Sequence, residues 1–122
     1  MGAMIGILHQ LVIDCPDPRA LAEFYSRVLG LSINYGDEDW VSIGGGDLPQ
    51  VAFQRAPDLQ RAHWPQAAHP QQMHMDIEVE DVDAAEAAVI ELGAVRLPGE
   101  GDDFRVFEDP SGHPFCLVFG VS

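Results

Sequence analysis

The sequence contains no lysine, and its six basic residues are all arginines. Against them stand 20 acidic residues, which gives the 122-residue chain a formal net charge of -14 at pH 7. Binding to a polyanion requires basic side chains that displace its counterions, and the arginines are scattered rather than clustered. The composition therefore argues against nucleic acid or an anionic membrane surface as a partner. It favours a neutral or cationic ligand, or a metal ion.

Cysteine is also scarce, and long apolar runs are missing. Two cysteines, Cys15 and Cys116, are too few for a disulfide scaffold. No stretch approaches the roughly 18 consecutive apolar residues of a membrane span, and no signal-type apolar segment follows a basic start. We therefore expect a soluble domain in a reducing cytoplasm, whose core, at 47% hydrophobic residues, needs no disulfide.

The first half of the sequence predicts one strand, one helix and three further strands. An apolar run with β-branched residues predicts a strand over 5–13. Apolar residues at three- and four-residue spacing predict a helix over 18–29, with Asp17 at its start and Gly30 after its end. The three short strands that follow are predicted at 31–35, 39–43 and 50–55.

The second half repeats this order. A strand is predicted over 73–79 and an amphipathic helix over 81–92, followed by strands at 94–98, 104–108 and 114–119. Because a half of this size buries too little surface to be stable alone, we predict a single α+β domain over 5–120. It consists of module one (5–56), a connector (57–72) and module two (73–120).

Histidines recur at the start of both halves. Aligning the halves on their histidines places His9 against His74, and a similar offset places Gln54 against Cys116. A strand histidine is more often a hydrogen-bonded core residue than a ligand, and Cys116 also reads as a small buried apolar side chain. Imidazole and thiolate are nevertheless ordinary metal ligands, so both interpretations stay open.

Ionisable residues alternate along the first strand of module two. His74, Asp76 and Glu78 share one face, opposite the apolar Met73, Met75, Ile77 and Val79, on which the helix is expected to pack. A row of ionisable groups on the other face is costly unless it meets water, a metal or a ligand. This face is the predicted functional site.

Three segments together resemble the vicinal oxygen chelate superfamily. They are HQLVIDCPDPRALAEFYSRVLGL, the middle HWPQAAHPQQMHMDIEVEDVDAA and the ending FEDPSGHPFCLVF. Within the superfamily the chain is similar to glyoxalase-like domains of the glyoxalase, bleomycin-resistance and extradiol-dioxygenase group. The resemblance implies two βαβββ modules that form a cup-shaped mixed sheet, usually completed by homodimerisation, around a divalent-metal or small-molecule site.

The resemblance also implies positions for metal ligands on the first and last strands of each module. Carried over, these positions are His9, Gln54, His74 and Cys116, so an amide and a thiol stand where the family often has glutamates. The implied cofactor is a divalent ion such as Ni, Zn, Mn or Fe. Asp76 or Glu78 is then the candidate for proton transfer.

Two functions follow as alternatives. The first is a metal-dependent enzyme of lyase, isomerase or dioxygenase type that acts on a small molecule with vicinal oxygens. The second is a metal-free protein that sequesters a drug or metabolite, as bleomycin-resistance proteins do, against the aromatic side chains of Trp40, Phe53 and Trp64.

Overall fold

A computed structural model of the protein describes residues 5–59 and 73–120. The chain divides into two compact units, Met1–Leu59 and Gln60–Ser122, which we call the first and the second unit. The described part of each unit contains one four-stranded sheet and one helix in the order β-α-β-β-β. The predicted α+β class, with two βαβββ modules, is confirmed.

The sheet of the first unit has its first strand beside its last. The elements are β1 (Leu11–Cys15), α1 (Pro18–Leu29), β2 (Ile33–Gly36), β3 (Trp40–Gly45) and β4 (Leu48–Arg55). The strand order is β1-β4-β3-β2, in which β1 runs parallel to β4 and the other neighbours are antiparallel. The crossover through α1 therefore places the helix on one face of the sheet, and within residues 5–59 no helix lies on the other face, which we call the open face.

Local signals fix both ends of α1. The side chain of Asp17 accepts a hydrogen bond from the backbone N–H of Ala20 at 3.1 Å, and Pro18 occupies the first turn, where its missing N–H costs nothing. At the other end Gly30 adopts the left-handed conformation, with φ at 68°, and its N–H donates to the carbonyl of Ser26. The predicted helix over 18–29 is confirmed residue for residue.

Aromatic packing joins α1 to its sheet. The ring of Tyr25 stacks on the ring of Phe53, with centroids 5.7 Å apart and planes 7° apart. Val41 and Ile43 of β3 are fully buried on the same side of the sheet. This side is the core of the first unit.

The second unit repeats the plan. Its elements are β5 (Met75–Glu78), α2 (Val82–Glu91), β6 (Val95–Glu100), β7 (Phe104–Glu108) and β8 (Pro114–Val118). The strand order is β5-β8-β7-β6, again with the first strand parallel to the last. Among the described residues, no helix is long and apolar enough to span a membrane.

Ion pairs mark the side of the second sheet that α2 covers. Glu86 of α2 accepts hydrogen bonds from Arg96 of β6 at 2.6 Å and from Arg105 of β7 at 3.1 Å. In register, Arg105 lies beside Leu117, and Arg96 lies beside Phe107. Residues that share this face, such as the fully buried Phe107, therefore form the core of the second unit.

Strand ends agree less well with the prediction than helix ends do. The first strand was predicted at 5–13 from its apolar run, but β1 begins at Leu11 and ends at Cys15. These five residues are the ones that pair with Val51–Arg55 of β4, whereas Ile5, Ile7 and Leu8 are exposed. The partner strand sets the bounds of a strand, because backbone pairing and not hydrophobicity defines it.

Candidate metal centre

The face of the second sheet opposite α2, which we call its open face, carries the ionisable side chains predicted for this sheet. Asp76 of β5 lies directly beside Cys116 of β8, and Ile77 lies beside Leu117. Ile77 and Leu117 are both buried on the helix side. Since neighbouring positions alternate between faces, Asp76 and Cys116 point to the open face.

Three of these side chains form a cluster. His74 immediately precedes β5, and its Nε2 lies 3.0 Å from Oδ1 of Asp76. One donor atom each from His74, Asp76 and Cys116 lie within 4.8 Å of one another. The side chains of His74 and Asp76 are 39% and 59% exposed, so the cluster is accessible from solvent.

Cys116 is the least exposed member of the cluster, and its surroundings disfavour a bare thiolate. Burial raises the pKa of the Cys116 thiol, and the negative charge of Asp76 and a hydrogen bond to it act in the same direction. A cation at this point reverses that effect, because a coordinating thiol is held in its deprotonated form.

Glu78 belongs to the same face but not to the cluster. It lies two residues after Asp76, beside Val118 in register, and it is exposed. The predicted grouping of His74, Asp76 and Glu78 on one face therefore agrees with the strand geometry. Cys116 joins them through the parallel pairing of β5 with β8.

The equivalent positions of the first unit carry no such donors. An offset of 64 residues relates Leu11 to Met75 at the strand starts and Asp17 to Asp81 at the helix caps. The same offset relates the register pairs that open each parallel ladder, Leu11 with Val51 and Met75 with Phe115. The first-unit counterparts of His74, Asp76 and Cys116 are therefore Gln10, Val12 and Ala52.

This register corrects the alignment of the two halves. Aligning His9 with His74 is wrong by one residue, and aligning Gln54 with Cys116 is wrong by two. His9 lies before β1 and is exposed. It is not part of the three-donor cluster that the described residues contain. The two helix-capping aspartates, Asp17 and Asp81, were the sequence signal that could have given the correct register.

A neutral hydrogen-bond network, which the sequence did not indicate, occupies the open face of the first unit. The side-chain amide of Gln50 donates to Oε1 of Gln10, and Asn34 donates to Oε1 of Gln50 at 3.2 Å and to the carbonyl of Gly44 at 2.8 Å. The hydroxyl of Ser42 donates to Oδ1 of Asn34. These contacts join β2, β3 and β4 to Gln10, the residue before β1, so only the register reveals them.

Two of the remaining candidates lie together on this open face. Trp40 is half-buried and lies beside the exposed Gln54 in register, with Asp14 of β1 on the other side of Gln54. The backbone carbonyl of Gln54 accepts a hydrogen bond from Sγ of Cys15 at 3.7 Å. Trp40 therefore presents an aromatic side chain on the open face of the first unit, as does the exposed Tyr35, which lies beside Ser42 in register.

Phe53 lies on the other side of the sheet. It is fully buried and stacks on Tyr25 beneath α1, so its ring is not accessible to a ligand on the open face. Its alternation with Gln54 and its position two residues from the buried Val51 were the sequence signals for this placement. Trp64, the third predicted aromatic, lies outside the described residues.

The fold and the donor cluster define the class first: a protein with two βαβββ units, the second of which has a His, Asp and Cys cluster on one face of its sheet. Residues 10–118 match the family model described as a glyoxalase-like domain. The chain therefore belongs to the glyoxalase-like domain family, within the vicinal oxygen chelate superfamily. No curated protein matches its sequence significantly.

Solved structures with the same fold come from proteins of different description. A possible glyoxalase from Bacillus cereus is 18% identical with a TM-score of 0.70, over 94% of this chain and 99% of that one. Fosfomycin resistance protein FosX from Mesorhizobium loti is 19% identical with a TM-score of 0.70, over 97% and 94%. The bleomycin-binding protein of Streptomyces verticillus, complexed with copper(II)-bleomycin, is 21% identical with a TM-score of 0.59, over 97% and 100%. At these identities the likeness concerns the fold alone.

Proposed function

We propose that the protein is a divalent-metal-dependent enzyme that acts on a small molecule with vicinal oxygens, with its metal centre in the second unit. The observation that carries this proposal is the cluster of His74, Asp76 and Cys116, whose donor atoms lie within 4.8 Å of one another. Imidazole nitrogen, carboxylate oxygen and thiolate sulphur are all ordinary zinc ligands, and catalytic zinc sites commonly use three protein ligands and one open position. The donor set fits a metal ion.

Each residue then has a distinct task. His74, Asp76 and Cys116 hold the ion, which when bound polarises an oxygen atom of the substrate. Glu78 is exposed on the same face and is not one of the three proposed ligands. It is therefore the group proposed to transfer a proton. Asp76, the other candidate for proton transfer, is assigned to the ion because its carboxylate already contacts His74.

The charges on the open faces favour a neutral or cationic substrate. Of the described arginines, Arg96 and Arg105 are bound to Glu86 on the helix side, and Arg55 shares the face of Phe53 by alternation. The other two lie in α1. Within the described residues the charged groups of the open faces are therefore acidic, and they attract cations.

Metal content tests the proposed centre. Tag-free protein is stripped with a chelator, reconstituted with a divalent ion, dialysed and measured by elemental analysis. We expect about one equivalent in the wild type and a loss of that ion in His74→Gln and Asp76→Val. These variants carry the residues that the first unit has at the same places, so they keep a side chain that the fold accepts.

His9→Ala is the matched control, and it should retain the ion. An equal loss in His9→Ala and His74→Gln would contradict a centre built from the second unit. Absence of any bound ion after reconstitution with Zn, Ni, Mn and Fe would contradict metal dependence altogether.

Turnover tests the enzymatic part. Diols, catechols, α-ketoacids and α-hydroxycarbonyl compounds are assayed with the reconstituted protein, the chelated protein and Glu78→Gln. We expect turnover that requires the ion and falls by about 100-fold or more in Glu78→Gln, because general acid–base groups contribute on that scale. A Glu78→Gln variant that binds the ion and turns over at the wild-type rate would exclude Glu78 from proton transfer.

The second candidate function is metal-free binding of a small molecule. It is favoured by the first unit, whose open face presents neutral donors and acceptors around Gln50 together with the ring of Trp40. A protein of the same fold is described as bleomycin-binding. An acidic chain suits a cationic ligand of this kind.

A ligand screen by thermal shift separates the two candidates. Binding by sequestration predicts stabilisation by a ligand that persists in EDTA and weakens in Trp40→Ala. Stabilisation that disappears on chelation would instead support the metal-dependent function. Light scattering on the same protein tests the expected homodimer, which should have twice the 13.3 kDa mass of the chain.

A further inference from the structure

We propose that the cluster of His74, Asp76 and Cys116 selects a thiophilic divalent ion, zinc or a metal with similar ligand preferences, against magnesium and manganese. This inference rests on the proposed metal centre and concerns which ion that centre takes. It depends on the chemistry of one ligand position, Cys116, where a sulphur atom stands beside a carboxylate.

The donor set is soft for a site of three ligands. Magnesium and manganese prefer sites of carboxylate, carbonyl and water oxygens, whereas thiolates select zinc and copper(I), and imidazole suits zinc, nickel and copper. Only Asp76 supplies oxygen here, while His74 supplies nitrogen and Cys116 supplies sulphur. Two anionic ligands also balance the double charge of the ion without help from solvent.

The position of Cys116 in the sheet makes it a well-placed ligand. It lies on β8, an inner strand, beside Asp76 of β5 on one side and Val106 of β7 on the other. Side chains on adjacent strands are held at a fixed spacing by the backbone ladder, and rigid elements position ligands more accurately than loops do. The sulphur is therefore held beside the carboxylate before any ion arrives.

The separations in the cluster are on the scale of a single zinc-type ion. Neighbouring ligand atoms of a tetrahedral zinc ion lie about 3.3–3.7 Å apart, since zinc–sulphur bonds are about 2.3 Å and zinc–oxygen or zinc–nitrogen bonds about 2.0–2.2 Å. The donor atoms of the three residues lie within 4.8 Å of one another. Binding of an ion therefore draws the donor atoms closer together by up to about 1 Å, through rotation of the exposed side chains of His74 and Asp76.

The other cysteine provides a matched control. Cys15 is fully buried on the helix side of the first unit and donates its thiol hydrogen to the carbonyl of Gln54. The chain contains two cysteines in total. A metal–thiolate signal that persists in Cys15→Ser and disappears in Cys116→Ser is therefore the signal of Cys116.

Cobalt(II) is the probe, because its complexes with thiolate absorb in the near ultraviolet. Metal-free, tag-free protein is titrated with cobalt(II), and zinc(II), manganese(II) or magnesium(II) is then added in competition. We expect a thiolate-to-cobalt band that saturates at about one equivalent. Zinc should abolish it, and equal concentrations of manganese or magnesium should leave it unchanged.

Variants at residue 116 sharpen the result. Cys116→Ser should lose the band and bind zinc at least about tenfold more weakly, since a soft ligand is replaced by a poor one. Cys116→Asp should also lose the band but shift the preference towards manganese. Circular dichroism melting checks that both variants are folded. A variant that is not folded is replaced by Cys116→Ala, which introduces the residue that the first unit has at the equivalent position.

The outcomes distinguish this inference from the proposed function. Cobalt binding without a thiolate band, or equal competition by manganese and zinc, would overturn the selection of a thiophilic ion and leave the metal centre in place. Failure of wild-type protein to bind any of the four ions would overturn both. A band that Cys15→Ser removes and Cys116→Ser keeps would also overturn the inference.

Discussion

The two units have the same backbone plan and different open faces. In both, a helix capped by aspartate covers one side of a four-stranded sheet whose first and last strands are parallel. At equivalent positions of the open face, however, the second unit has an imidazole, a carboxylate and a thiol where the first unit has an amide, an isopropyl group and a methyl group. The repeated fold supplies equivalent positions, and three side chains at those positions decide which unit has the proposed metal centre.

The last hairpins of the two units also differ. The turn from β3 to β4 depends on glycine: Gly44 has a φ of 87°, and a Cβ there would lie 1.9 Å from the carbonyl oxygen of Pro49. The turn from β7 to β8 is organised by the buried side chain of Asp109, which accepts hydrogen bonds from the backbone N–H groups of Ser111 and His113 at 2.8 and 3.0 Å. Both turns thus contain a glycine with positive φ, since Gly112 in the second has a φ of 90°, and the second turn is additionally stabilised by a buried carboxylate.

The largest expected effect comes from the aromatic cores, and it tests whether the units are energetically separate. Phe53 stacks on Tyr25 in the first unit, and Phe115 stacks on Phe107 in the second at 5.5 Å. Removing either ring, in Phe53→Ala or Phe115→Ala, should cost about 3–5 kcal/mol of unfolding free energy. In a single domain both variants shift one common denaturation transition.

Denaturant melts followed by fluorescence and circular dichroism measure this. Val12→Ala, a change on the open face, is the control and should cost less than about 1.5 kcal/mol. Two resolved transitions, each moved by only one of the phenylalanine variants, would contradict the predicted single domain.

A smaller effect is expected at the turn that distinguishes the second unit. Asp109→Ala leaves the two N–H groups of the turn without their acceptor, and it should cost about 2–3 kcal/mol, the scale of hydrogen bonds to a charged group. Asp109→Asn keeps an oxygen acceptor and should lose clearly less. Equal losses in the two variants would show that the charge, and not the acceptor geometry, stabilises the hairpin.

The helix caps should behave alike in the two units. Asp17 and Asp81 each accept a hydrogen bond from a backbone N–H three residues later, at 3.1 Å in both cases. Asp17→Ala and Asp81→Ala should therefore each cost about 1 kcal/mol, measured by the same melts. Asp17→Asn and Asp81→Asn, which preserve the acceptor, should restore most of it. Clearly different losses of unfolding free energy in Asp17→Ala and Asp81→Ala would show that the two caps do not stabilise their helices equally.

The smallest expected effect lies in the turn before β3. The carboxylate of Asp37 accepts hydrogen bonds from the hydroxyl of Tyr35 at 2.8 Å and from the backbone N–H of Asp39 and Trp40. The Tyr35 bond is the main reason that the pKa of Asp37 is lowered. A lowered pKa stabilises the fold above the unfolded value, and this contribution is lost as the pH falls through the folded value.

Tyr35→Phe should therefore raise the pKa of Asp37 and shrink the acid-induced loss of stability from this turn. Carbon-detected NMR titration of the Asp37 carboxyl group measures the shift directly. An unchanged Asp37 titration in Tyr35→Phe would assign the lowered pKa to the two backbone donors instead.

Local signals in the sequence were sufficient for the helices. The bounds of α1 followed from Asp17, Pro18 and Gly30, because caps and breakers act within a few residues. Alternation along β5 likewise gave the correct common face for His74 and Asp76. These features depend on residues that are close together in the sequence, so they can be predicted from a single sequence.

Features set by distant pairing were harder to predict. The start of β1 depends on its ladder with β4, and the neutral network around Gln50 depends on residues from three strands and on Gln10, which precedes β1. The alignment of His9 with His74 used residue identity, whereas the true register follows the spacing between strand start and helix cap. Cys116 and Asp76 were both predicted site residues, but only the β5–β8 pairing shows that they lie side by side.

The parallel pairing of first and last strands also has a consequence for the order of folding. Asp76 and Cys116 are 40 residues apart in sequence and adjacent in the ladder. Closing such a loop costs chain entropy before the new contacts repay it, and non-local pairing of this kind is slow to form. We therefore expect the donor cluster to assemble late, once β8 has entered between β5 and β7, so that an ion bound there would stabilise a folded unit rather than nucleate its folding.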